Sequence, residues 1–128
     1  MDFQHHSAFV AELDIFVQKH CQNNMTTDMV LESVHLLLTN YFNRVCSISP
    51  KSLNRAQGFG EHEVYFYRLY IPECPYLKGK QHPKSYFYKQ DGLISILCCD
   101  SHIDDYKDVK LRDTAKKRLY EMLEVLKS

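Results

Sequence analysis

At 128 residues, with 45% hydrophobic and 25% charged residues, the chain has the size of one globular domain and can bury a core without disulfides or a metal. Sixteen basic and sixteen acidic residues cancel, which excludes strong attraction of the whole protein to nucleic acid. No apolar run approaches the roughly 20 residues of a membrane span, and the start, "MDFQHHSAFVAELDIF", lacks the basic lead and small-residue cleavage site of a signal peptide, so a soluble cytoplasmic protein is expected.

The polar opening "MDFQHHS" gives no strand signal, and His5 and His6 read as a mobile terminus. From Ser7 to Cys21, Phe9, Val10, Leu13, Phe16 and Val17 recur at helical spacing, with Ser7 as the expected cap. After the break "QNNMTTD", Thr26 or Thr27 caps a second helix running to about Cys46. His20 and His35 fall on these helices as surface or boundary residues. "SISPKSLNRAQGFGEHE" is loop-like. "VYFYRLYI", Val64 to Ile71, is rich in aromatic and branched residues and predicts a strand. "PECPYLKGKQHPK" is a loop, and "SYFYK" and "LISILCC" flank Asp-Gly as a hairpin whose glycine supplies the positive φ. From about Lys110 to Leu126 an apolar stripe through Leu111, Ala115 and Leu119 predicts a last helix. The expected class is α+β: two N-terminal helices, an antiparallel sheet of about three or four strands, and a C-terminal helix, all in one domain of residues 1–128.

Charge is unevenly placed. Residues 1–40 carry one base and five acids, 41–90 carry eight bases and three acids, and 91–128 carry seven bases and eight acids. Pro75 to Gln90 holds four lysines and no acid. Lys78, Lys80, His82 and Lys84 are candidates to neutralise phosphates, with Tyr86 and Tyr88 as stacking platforms for bases; the plainer reading is a loop kept soluble by lysine. Arg68 interrupts an apolar strand and must pair, with Glu63 or Glu73, or face a ligand. "CCDSHIDDYKD" brings His102, Tyr106 and Lys107 to a strand end, suited to proton transfer and charge stabilisation, or simply a polar turn whose acids favour a helix start.

Five cysteines at irregular spacing are no disulfide framework and read as free thiols in a reducing compartment. Cys98 and Cys99, adjacent in a strand, should face opposite ways. Cys74, Cys98, Cys99, His82 and His102 lack metal-ligand spacing, and a Cys99–His102 nucleophile pair has only an apolar strand behind it. No cofactor motif is present.

The sequence "EVYFYRLYI … KSYFYKQDGLISILCCDSH … DTAKKRLYEML" resembles the RelE/ParE/HigB superfamily of bacterial toxins. Arg68 matches the first arginine of that pattern by position, and Lys84 or Tyr86 stands where a basic residue is usual. The family includes ribosome-dependent mRNA endonucleases and gyrase inhibitors. The resemblance implies a metal-independent endoribonuclease without cofactor, partnered by RNA or ribosome and by an antitoxin. Arg68 and Lys84 would hold the phosphate, His102 or Tyr106 would move protons, and Lys107 would stabilise charge. The alternative is a non-enzymatic protein-binding module, such as an immunity protein, inhibitor or adaptor, expected from the acidic helical half and nine tyrosines. It predicts an exposed tyrosine patch.

Overall fold

The computed structural model describes residues 2–21, 26–43, 53–69, 77–78, 81–101 and 107–127. Among the described residues, three helices flank a five-stranded mixed sheet of order β1-β5-β4-β3-β2. In chain order these are β1 (Asp2–His5), α1 (Ser7–His20), α2 (Thr27–Phe42), β2 (Asn54–Arg55), β3 (Val64–Arg68), β4 (Lys84–Gln90), β5 (Leu93–Asp100) and α3 (Asp108–Lys127). No helix among the described residues is long and apolar enough to cross a membrane.

Two strands exceed the expected antiparallel set. The polar start is not a mobile terminus: β1 pairs in parallel with β5, Asp2 opposite Leu93 through His5 opposite Ile96. Its side chains explain why so polar a segment docks. Phe3 stacks on His35 at 4.1 Å between ring centroids, and Gln4 Nε2 donates to Ser95 Oγ at 2.6 Å. The Nε2 atoms of His5 and His35 meet at 2.7 Å. His35 is therefore a packing residue of the β1–α2 junction. The cap of α1 also differs from expectation, because His6 Nδ1 accepts from the Ala8 N–H at 3.1 Å and so takes the role expected of Ser7. β2 is a two-residue strand within the stretch read as loop, and pairs antiparallel with β3.

The second helix starts as expected, with Thr26 accepting from the Met29 N–H at 3.2 Å, but ends at Phe42. The β4–β5 hairpin forms with Gln90 opposite Leu93. The positive φ of its turn falls on Asp91, at 52°, and not on Gly92. Aspartate tolerates this region better than most L residues. Asp91→Ala is therefore expected to cost about 1 kcal/mol, and Asp91→Gly to stay within about 0.5 kcal/mol of the parent. Urea unfolding of the two variants beside the parent checks this.

The sheet has a core on each face. Phe9, Leu13 and Phe16 of α1 and Val34 and Leu38 of α2 pack with Phe87 on one side. Leu111, Ala115 and Leu119 of α3 pack with Tyr86 and Leu97 on the other. Removing one fully buried leucine such as Leu97 costs about 2–5 kcal/mol. A bulge at Leu97, where Tyr86 pairs Cys98 but Phe87 pairs Ile96, turns Leu97 and Cys98 both towards α3. Cys99 returns to the α1 side, so the two cysteines do face opposite ways.

Beside this bulge the two helical layers are tied together. β1 pairing ends where the His6 N–H donates to the Ile96 carbonyl. Beyond it, Arg118 of α3 donates to the Leu97 carbonyl at 3.0 Å, and Glu12 of α1 accepts from the Cys99 N–H at 3.3 Å. The two side chains also meet each other, at 2.6 and 2.9 Å. One bidentate ion pair thus satisfies the edge of β5 where its partner strand stops.

Candidate functional site: a basic cleft over aromatic rings

A cleft of about 480 Å³ lies between β2, the β3–β4 pair and the first turn of α3. Its construction follows from strand alternation. Phe66 and Tyr86 are cross-strand partners and both point to the α3 side, so their rings floor the cleft. Two residues along β4, Lys84 points the same way. Its Nζ sits 4.4 Å from the Phe66 centroid and 5.8 Å from that of Tyr86, a cation–π arrangement that fixes the ammonium against the floor. Asp108, in the first turn of α3, accepts from Lys84 Nζ at 3.2 Å. Arg112, one turn further along α3, lines the same wall. Arg55 of β2 lines the opposite rim, with its guanidinium turned to the Tyr65 ring at 5.7 Å and the His62 carbonyl at 3.2 Å.

Arg68 and Lys84 are direct register partners and so share this face. Arg68 Nη1 donates to the His82 carbonyl at 2.9 Å. Glu63 is engaged elsewhere, with the Tyr65 hydroxyl and Lys89; Glu73 lies outside the described residues. The interior arginine braces the turn leading into β4, on the same sheet face as Lys84.

The other expected site residues distribute unevenly. Lys78 is exposed. His82 is buried, and burial pushes its pKa down, against a backbone hydrogen bond at Leu77 that raises it. It is therefore neutral near pH 7 and contributes shape to the loop but no charge. Tyr86 and Tyr88 are 4% and 8% exposed. Tyr86 lines the cleft, while Tyr88 lies beneath α3 and does not. Burial, followed by the nearby Cys98 and Asp108, pushes the Tyr86 hydroxyl up to about 12, so it stays protonated at neutral pH. Lys107 is exposed, immediately before α3. Lys80, His102 and Tyr106 lie outside the described residues, as do Cys46 and Cys74. Cys98 and Cys99 are free thiols. Burial pushes Cys98 up to about 12 and Cys99 well above its ordinary range, so neither is a thiolate nucleophile.

Arg55 and Arg112 belong to the cleft but not to the residues the sequence singles out. Arg112 adjoins the Leu111–Ala115–Leu119 stripe and looks like an ordinary solvated helix position. Arg55 sits in "SLNRAQG", where only β2 pairing places it at the sheet edge. Among the described residues no group of three or more His, Cys, Asp or Glu side chains could hold a metal ion.

No protein-family model, no curated protein and no solved structure matches the chain.

Proposed function

We propose that the chain is a toxin-like RNA-acting protein that holds the backbone of single-stranded RNA in the Lys84 cleft. One observation carries this reading: an ammonium fixed over two aromatic rings, with Arg112 on the facing wall and Arg68 beside it in register. Cations at such a place neutralise phosphate, and ring faces accept a base of any sequence. The resemblance to the RelE/ParE/HigB toxins fits the same face. That pattern usually opens with a strand, and in this chain a strand, β1, precedes α1. In this reading Arg68 and Lys84 hold the phosphate, and Lys107 stands at the near end of α3. If the protein cleaves RNA, the resemblance gives the proton transfer to His102 or Tyr106, which lie outside the described residues. The partners would be ribosome or RNA and an antitoxin, in the cytoplasm.

Fluorescence anisotropy with a short labelled oligouridylate tests the binding. Lys84→Ala is expected to weaken it about tenfold. Growth of a bacterial host tests the action. Induction of the parent is expected to arrest growth, and an Arg68→Ala, Lys84→Ala double variant at equal expression is expected to restore it. Normal growth and no RNA binding by the parent would overturn the reading.

A second reading has its own observation. Met29, Leu36 and Leu37 are 47%, 63% and 40% exposed on α2. An exposed apolar face of this kind favours a protein-binding module such as an immunity protein, inhibitor or adaptor. The tyrosine patch expected for that class is not among the described residues, where of six tyrosines only Tyr120 is exposed. Loss of partner binding on Leu36→Lys, with RNA binding absent in the parent, would select this reading.

A further inference from the structure

We infer that Asp108 occupies the phosphate position of the cleft and competes with RNA for Lys84. This inference rests on the reading that the cleft binds RNA, and it adds a built-in control of that binding. The geometry is that of a bound anion. The Asp108 carboxylate reaches 3.2 Å from Lys84 Nζ, at the point where the ammonium leaves the aromatic floor, and it lines the same wall as Arg112. Lys84 is 14% exposed and Asp108 59%. The base is thus held inside the cleft, and the acid closes over it from the solvent side. Its position in the first turn of α3 also suits an anion on electrostatic grounds. A phosphate oxygen would use the same Lys84 hydrogen and the same field from Arg112.

Two consequences follow from exchange of one anion for another. RNA must displace a carboxylate that is already paired, so the affinity of the parent is lowered by the worth of that pair. The displaced carboxylate then takes up a cation from solution, so one fewer counterion is released on binding. Asp108→Asn keeps the size of the side chain and a residue acceptable at a helix start, but removes the competing charge. It is expected to tighten binding of the oligouridylate about five- to tenfold and to steepen the logarithmic salt slope by about 0.7, the value for one phosphate on a single strand. Adding Lys84→Ala to Asp108→Asn is expected to abolish the gain, since the freed contact is made by Lys84.

The experiment is an anisotropy titration of the full chain, across salt, for the parent, Asp108→Asn, Asp108→Ser, Lys84→Ala and Asp108→Asn with Lys84→Ala. Asp108→Ser keeps a small polar side chain in the first turn of α3 and guards against a loosened helix, and far-ultraviolet circular dichroism checks the helix in each. Tighter binding and a steeper slope in both Asp108 variants, lost with Lys84→Ala, support the inference. If the parent binds and Lys84→Ala weakens it, but neither Asp108 variant tightens it, the inference falls while the RNA reading stands. A gain that survives Lys84→Ala also overturns it. Absence of binding by the parent and by both Asp108 variants overturns both together.

Discussion

Replacing Arg118 with alanine is expected to lower the unfolding free energy by about 2–4 kcal/mol, the largest effect of any charged residue described above. The substitution removes three contacts at once. The bidentate pair with Glu12 is lost, the Leu97 carbonyl loses its donor, and Glu12 stays beside the Cys99 N–H without its counter-charge. Side-chain exposures of 14% and 32% for Arg118 and Glu12 place the pair between a surface bridge and a buried one, so salt screens it only in part. Arg118→Met keeps much of the packing of the stem and separates that contribution from the charge. Urea unfolding of Arg118→Ala, Glu12→Gln and the double variant gives the coupling, expected above about 1 kcal/mol. A cost below about 0.5 kcal/mol for Arg118→Ala would mean that the β5 edge is held by other contacts.

The junction of β1 with α2 is expected to weaken as the solution is acidified. His5 and His35 share one hydrogen bond between Nε2 atoms, which needs at least one of these nitrogens without a proton. Burial pushes both pKa values below the ordinary 6.5, and for His35 the proximity of His5 adds to the shift. A lowered value in the fold means that the unfolded chain binds protons first. The stability from this pair is therefore whole above about pH 6.5 and is lost as the pH falls from there through the lowered values. Protonating both rings costs the hydrogen bond and sets two like charges 4.9 Å apart. With partial access to water, that amounts to about 1–2 kcal/mol. Unfolding of the parent near neutral pH and near pH 5 should show the loss. His35→Gln should flatten it, because glutamine cannot take up the charge. An unchanged slope in that variant would place the titration elsewhere.

What the sequence reveals about this fold is what local chemistry controls. Thr26 caps α2 because its hydroxyl needs only a backbone N–H three residues on. The Asp-Gly hairpin closes between adjacent strands, and the alternation of Cys98 and Cys99 needs only the pleat. Nothing local makes "DFQH" a strand. Its stability comes from Leu93–Ile96 and from His35. The cleft was half visible for the same reason. Lys84 and Arg68 stand out as charges in apolar strands, whereas Arg55, Asp108 and Arg112 join them only after β2 pairs and α3 folds back. The pairing of Glu12 with Arg118 spans 106 residues and leaves no trace in either helix taken alone.

The parallel pairing of β1 with β5 also has a kinetic meaning. Gln4 and Ser95, bonded in the finished sheet, are 91 residues apart. Closing so long a loop costs entropy before any contact repays it, whereas the β4–β5 hairpin closes through two residues. The hairpin is therefore the natural place for folding to begin, and β1 and α1 join when most of the remaining sheet is in place. Until then the outer side of β5 is an unprotected strand edge, open to pairing with another chain. The same short segment that completes the sheet is thus its guard against aggregation, and slow or weakened docking of β1 would appear first as loss of recovered material on refolding rather than as loss of helix.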